Sequence, residues 1–65
     1  MNEGEIKFFN EEQGYGFILD SNSTQEFFVH KSGLIDHVEK GDLVVFEVAE
    51  GNKGFQAVQV KKVEG

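Results

Sequence analysis

The chain has 65 residues, which is the size of a single small domain over residues 1–65, and folding at this length buries roughly 60% of the unfolded surface. It contains no cysteine, which excludes a disulfide framework and thiolate metal sites. Six basic and twelve acidic residues give a formal net charge of −6, which argues against a binder held by a broad basic surface.

The first residues and the longest apolar run indicate the cellular location that we expect for the protein. Residues 1–4 lack the basic start and apolar run of a signal peptide. The longest clearly apolar run, residues 43–46, is far too short to cross a bilayer. We therefore expect a cytoplasmic protein with no membrane contact.

The first half of the chain predicts three short strands joined by polar connections that end in or contain turn residues. The strands are residues 3–10, 15–19 and 26–31, and the connections are residues 10–14 and 20–25. In the first strand, strict alternation of side chains places Phe8 inward beside Ile6 and Phe9 outward beside Lys7.

The second half predicts a long connection and two more strands. Ser32 is a candidate cap for a short helical turn over residues 33–35. The strands are residues 43–50 and 55–63, joined by a hairpin at residues 51–54 that contains two glycines. The expected core residues of this region and of the third strand are Phe27, Val44, Phe46, Val48, Val58 and Val60.

The second and third strands carry aromatic rings on both faces, whereas a half-buried strand is normally apolar on one face only. Alternation puts Tyr15 and Phe17 on one face of the second strand, and Phe28 and His30 on one face of the third. If the two strands pair in register, these four rings lie together and form a platform on which bases can stack. The alternative is that the rings are simply the buried core of a small β-protein.

Five short strands without a long helix predict an all-β fold. A closed barrel suits this length because closure removes the exposed strand edges. The five-stranded antiparallel Greek-key barrel with an open face on its second and third strands is the OB-fold, which binds oligonucleotides there.

Several ordered segments resemble the cold-shock domain of bacterial cold-shock proteins, from residue 1 to about residue 63. They are Glu3-Gly4, Lys7-Phe8-Phe9-Asn10, Gln13-Gly14-Tyr15-Gly16-Phe17-Ile18, Phe28-Val29-His30, and Glu50-Gly51-Asn52-Lys53-Gly54 followed by Gln56-Ala57. The resemblance implies a monomer that binds single-stranded RNA and DNA as an ATP-independent chaperone, with roles in transcription and translation.

The resemblance also implies a set of nucleic-acid-binding residues. Phe8 faces the ligand in the family, so we follow the family rather than strict alternation and expect a bend in the first strand. Glu26 stands where the family has an acidic residue near the bases. Lys31 is not part of the family pattern, and we add it to the set because its charge beside His30 can meet phosphate. The full set is Lys7, Phe8, Phe9, Tyr15, Phe17, Glu26, Phe28, His30, Lys31, Lys53 and Gln56.

The chain departs from the family pattern at several positions. Phe8 replaces a tryptophan, Gln13 replaces a lysine, and Lys31 replaces an aromatic residue. The loop after the third strand is shorter than usual, and only Ile35 or His37 could take the place of the aromatic residue that this loop normally offers. These changes bear on affinity and site length more than on the existence of the site.

Two other classes of function remain open at this point. An enzyme would need a serine, threonine or lysine nucleophile beside a base, and neither histidine has a spacing that defines a triad. We expect no catalytic residue, no metal site and no cofactor. A protein-interaction module of OB-fold type, with the rings as its contact patch, is the main alternative.

Overall fold

Five strands and one short 3₁₀ turn make up the computed structural model, which describes residues 1–51 and 54–63. The strands agree with the predicted ones to within one residue at each end. They are β1 (Asn2–Asn10), β2 (Tyr15–Asp20), β3 (Glu26–His30), β4 (Leu43–Gly51) and β5 (Gly54–Lys62).

The strands close into a barrel in the order β1-β2-β3-β5-β4, and β4 pairs back onto β1. The predicted all-β OB barrel is therefore confirmed. Pairing is antiparallel except between β3 and β5, which run parallel at Phe28–Gln56 and Val29–Ala57. This arrangement makes β1, β2 and β3 a meander in which β2 is the middle strand, and one face of the meander lies on solvent.

The barrel interior is filled by side chains from all five strands and from the long connection. The buried residues include the predicted Phe27, Val44 and Phe46, and the rings of Phe27 and Phe46 lie 5.6 Å apart between centroids. Val38, which belongs to the connection and was not predicted as core, is 1% exposed. The complete buried set in the described residues is Ile6, Ile18, Phe27, Val29, Val38, Val44, Phe46, Ala57 and Val60.

Two glycines allow the ring-bearing strands to form. Gly14 ends the β1–β2 turn with a φ of 78°, a left-handed conformation that glycine adopts without strain, and its N–H donates to the Asn10 carbonyl at 2.7 Å. Gly16 is buried opposite Phe9, and a Cβ there would collide with the Phe8 carbonyl oxygen. Gly16 therefore lets β1 and β2 approach closely.

Two local predictions were wrong. The helical turn is a 3₁₀ turn over Lys31–Gly33, two residues earlier than predicted, and His30 rather than Ser32 caps it. In β5, Ala57 rather than Val58 joins the core, because Gln59 adopts a positive φ of 51° and breaks the alternation between Ala57 and Val60. The predicted hairpin at residues 51–54 includes Asn52 and Lys53, which lie outside the described residues, although Gly51 and Gly54 are paired.

Candidate nucleic-acid interface

The pairing of β2 with β3 brings the predicted rings together on the outside of the barrel. Tyr15 lies opposite His30, and Phe17 lies opposite Phe28. Phe8 lies opposite Phe17 from the other side, on β1. We call the surface formed by Phe8, Tyr15, Phe17, Phe28 and His30 the ring face.

The rings of this face touch one another in a continuous cluster. Phe8 lies 5.5 Å from Phe17 and 6.1 Å from Tyr15 between ring centroids. Phe28 lies 5.9 Å from both Tyr15 and Phe17, nearly parallel to Tyr15 and nearly perpendicular to Phe17. These separations are typical of favourable aromatic pairs, so each ring is held in place by its neighbours while the cluster stays open to solvent.

A bulge in β1 turns Phe8 onto the ring face. The β1–β2 register shifts between Ile6 and Phe8, so that Lys7 is an extra residue without its own partner on β2. Because one inserted residue reverses the side-chain alternation that follows, Phe8 is 37% exposed rather than buried. The bend that the family resemblance predicted for the first strand is therefore present.

The same bulge turns Phe9 away from the ring face. Phe9 lies opposite Gly16 and packs against the buried core as a partly buried side chain. The expectation from strict alternation that Phe9 points outward was wrong. The structure does not bring Phe9 together with the other predicted site residues.

Lys7 reaches across the outside of β2 to an acidic partner on β3. Its Nζ donates to Oε2 of Glu26 at 2.9 Å, and both side chains are about half exposed, at 55% and 40%. Since the pair is exposed, its contribution to stability is small, on the order of 0–1 kcal/mol. The two predicted site residues therefore lie together at one end of the ring face.

His30 is held by hydrogen bonds at the other end. Its Nδ1 accepts from the Ser32 backbone N–H at 3.1 Å and lies 2.9 Å from the Ser32 Oγ. Accepting from a backbone N–H requires Nδ1 to be unprotonated, so the neutral ring carries its proton on Nε2. The ring is thus fixed in orientation and retains a donor at Nε2.

Lys31 and Gln56 lie at the border of the ring face. The backbone N–H of Lys31 donates to the Gly14 carbonyl at 2.8 Å, and the aliphatic part of its side chain passes over Gly14, close to Tyr15 in the chain. Gln56 lies beside Phe28 in the parallel β3–β5 pair. Lys53 lies outside the described residues.

A shallow groove runs over the ring face. Gln13 lines it together with Tyr15, Phe17, Phe28 and His30. Of the two candidates for the missing loop aromatic, Ile35 is 58% exposed, and the Nε2 of His37 lies 3.0 Å from Oε1 of Glu11. The structure therefore places His37 beside the β1–β2 turn.

The sequence analysis missed Leu19. It follows Tyr15 and Phe17 in the same alternating row of β2, it lies opposite Glu26, and it is 41% exposed. The alternation that identified Tyr15 and Phe17 was the signal that could have found it.

Among residues 1–51 and 54–63, no three histidine or acidic side chains come together as metal ligands. Within the same residues, no helix is long and apolar enough to cross a bilayer.

Comparisons with known proteins agree with this geometry. Residues 2–63 match the family model described as the 'Cold-shock' DNA-binding domain. The chain is 39% identical to the major cold shock protein of Micrococcus luteus, with 97% of this chain and 100% of the relative covered.

Two further relatives have a similar likeness. The major cold shock protein of Streptococcus pyogenes serotype M1 is 40% identical, and the match covers 97% of this chain and 98% of the relative. The cold shock-like protein CspA of Vibrio cholerae is 41% identical, and the match covers 88% of this chain and 87% of the relative. Over nearly its whole length, the chain belongs to the cold-shock DNA-binding domain family.

Proposed function

We propose that this chain binds single-stranded RNA and DNA by stacking bases on the ring face. The observation that carries the proposal is the continuous cluster of four phenyl and phenol rings with His30 on the solvent side of β2 and β3. Each stacked base contributes about 1–3 kcal/mol in such sites, with little dependence on sequence.

The core supports this use of the rings. Nine apolar residues fill the barrel interior in the described part of the chain, and none of the five ring-face residues is among them. The rings are therefore not needed to complete the core, which was the alternative explanation for them. A cluster of exposed and partly exposed rings on a small domain is typical of a binding surface.

Charge limits how the phosphates are held. With a net charge of −6, non-specific attraction to a polyanion is weak, and stacking supplies most of the affinity. Lys7 and Lys31 stand at opposite ends of the ring face and are the proposed phosphate contacts, with Glu26 near the bases beside Lys7. Gln56 stays in the proposal as a contact at the border of the site. Lys53, which lies outside the described residues, stays in the proposal as a phosphate contact predicted from the sequence.

Phe9 has a supporting role in the proposed site and does not stack on a base. Because it packs against the core beneath Gly16, it supports the close β1–β2 approach that presents Phe8 and Phe17. It offers no stacking surface in this arrangement.

The proposed mechanism is passive. A protein that binds only the unpaired form of a strand shifts weak hairpins toward the open form by mass action, without ATP. This is the action of a nucleic-acid chaperone, and through it the chain would influence transcription and translation. We propose that it works as a monomer in the cytoplasm.

The family decides against the enzymatic alternative, because cold-shock domain proteins bind nucleic acid and are not enzymes. A protein-interaction module remains the competing proposal. Titration with unstructured RNA and DNA homopolymers separates the two. Saturable binding to these polymers, with weaker binding to duplex at equal nucleotide concentration, supports the proposal, whereas no binding would refute it.

A further inference from the structure

A groove continues the ring face beyond Phe17, at the end where Lys7 and Glu26 pair. Leu19 forms its apolar floor, one row along β2 from Phe17, which corresponds to roughly 6.5–7 Å. Glu5 and Glu26 flank Leu19 on β1 and β3 respectively. The remaining lining residues are Ile6, Lys7, Lys40 and Gly41. We call this surface the end groove.

Lys40 belongs to the long connection, and the two residues that follow it are held against β1 by hydrogen bonds. Gly41, with a φ of 91°, donates from its N–H to the Ile6 carbonyl at 2.8 Å. The Ile6 N–H in turn donates to the Asp42 carbonyl at 2.9 Å. Since these bonds tie the turn to β1, Lys40 stands beside the groove on a fixed backbone.

The charge of Lys40 is available to a ligand. In the described residues, Lys7 is paired with Glu26 and Lys62 lies 3.7 Å from Asp42, but Lys40 has no carboxylate within 4 Å. Lys31, at the opposite end of the ring face, also has none within the described part of the chain. As far as the described residues show, a lysine without an ion-pair partner therefore stands at each end of the row of rings.

We propose that the end groove is a further nucleotide subsite, continuous with the ring face, for one additional nucleotide of the same bound strand. The base and sugar lie on Leu19, because the carboxylates of Glu5 and Glu26 would repel a phosphate there. The phosphate lies at Lys40, which has no carboxylate within 4 Å among residues 1–51 and 54–63. This inference rests on the proposed single-strand binding and adds a subsite and two residues, Leu19 and Lys40, to it.

The test is the dependence of affinity on oligonucleotide length. Oligonucleotides are lengthened one residue at a time from each end, and their affinities are measured for wild type, Lys40→Ala and Leu19→Thr. Lys61→Ala is the matched control, because it removes the same charge from β5, where Lys61 pairs with Val45 away from the ring face. Thermal unfolding of all four proteins verifies that each is folded.

The subsite predicts a selective loss at one length. Wild type and Lys61→Ala gain affinity when the last nucleotide is added at one end of the oligonucleotide. Lys40→Ala and Leu19→Thr do not show this gain. The resulting difference in Kd is roughly two- to five-fold, which is the value of a contact at an exposed lysine. Shorter oligonucleotides bind these two variants as tightly as wild type. The salt slope of Lys40→Ala for the longest oligonucleotide is shallower by about 0.7, the value of one phosphate contact on a single strand.

Two results would overturn the subsite while leaving the ring face in place. One is a length dependence of Lys40→Ala and Leu19→Thr that matches wild type. The other is an equal weakening of Lys40→Ala and Lys61→Ala at every length, which would mean that only total charge matters. Failure of wild type to bind at any length would instead refute the proposed function, and the subsite with it.

Discussion

Replacing Phe17 with alanine separates the binding role of the ring face from its structural role. Phe17 is partly exposed at the centre of the face, with Phe8 at 5.5 Å and Phe28 at 5.9 Å between ring centroids. If a base stacks on it, Phe17→Ala weakens single-strand binding by about 1–3 kcal/mol, which is roughly 5- to 150-fold in Kd.

Phe17→Ala also lowers the stability of the fold, because it removes the same ring contacts. Two aromatic pairs are lost, each worth about 0.5–1.5 kcal/mol beyond the area that the rings bury, so the loss of these pairs alone lowers the free energy of unfolding by about 1–3 kcal/mol. A buried ring such as Phe46, which is 1% exposed, costs about 3–5 kcal/mol when truncated to alanine. A domain of this size has a total stability of roughly 3–10 kcal/mol, so Phe17→Ala stays mostly folded whereas Phe46→Ala is at risk of unfolding.

The assay pairs urea denaturation with titration of a single-stranded oligonucleotide. Phe55→Ala is the matched control, because Phe55 is a phenylalanine that is 59% exposed on β5 opposite Glu50, outside the ring face. We expect Phe55→Ala to bind like wild type. A folded Phe17→Ala protein that binds as tightly as wild type would refute the stacking argument, and an equal loss in Phe55→Ala would show that the effect is not specific to the ring face.

Three further predictions address the site, its charge and its framework. Phe28→Ala should weaken single-strand binding by about 1–3 kcal/mol in the same titration, and unchanged affinity would contradict the position of Phe28 in the row. With two or three phosphate contacts, log affinity should fall with log salt at a slope of about −1.5 to −2, and a slope beyond about −4 would mean that a basic surface dominates. Gly16→Ala should lower the free energy of unfolding by about 1–3 kcal/mol, because the added Cβ is overpacked against the Phe8 backbone. Gly41→Ala is the comparison, because its added Cβ meets no atom within 4 Å and it would lose stability only through its φ of 91°. A melting temperature of Gly16→Ala equal to that of wild type would rule out the close approach of β1 and β2.

The part of the ring face on β2 and β3 was predictable from the sequence because alternation is a local property. Tyr15 and Phe17 share a face in any extended strand, and Phe28 and His30 do likewise. Only the register between the two strands was undetermined, and the structure pairs Tyr15 with His30. The turn ending at Gly14 was also predictable, since glycine after polar residues is a strong turn signal.

The positions of Phe8 and Phe9 were not predictable from alternation. A bulge inserts one residue and reverses the faces of every residue after it. Residues 5–9, around Lys7, contain no glycine or proline to mark the bulge. The family resemblance supplied the correct side for Phe8. It did not supply the inward side of Phe9, which depends on the space opposite Gly16.

In the second half of the barrel, two core positions were also not predictable from the sequence. Gln59 takes a positive φ of 51°, which is uncommon for a residue other than glycine, so the exchange of Ala57 for Val58 in the core had no sequence signal. Val38 lies in a connection that the sequence analysis treated as a loop, and it is buried because the connection closes over the barrel. Tertiary packing decides both positions.

Tyrosine fluorescence tests the central claim most directly. The chain has no tryptophan and a single tyrosine, Tyr15, which lies on the ring face 5.9 Å from Phe28. If bases stack there, adding a single-stranded oligonucleotide quenches the emission, and the quench saturates in step with independently measured affinity. Duplex DNA of matched absorbance is the control for the inner-filter effect and should give only that effect. Equal signals from single strand and duplex, alongside proven single-strand binding, would contradict the assignment of Tyr15 and its row to the binding site.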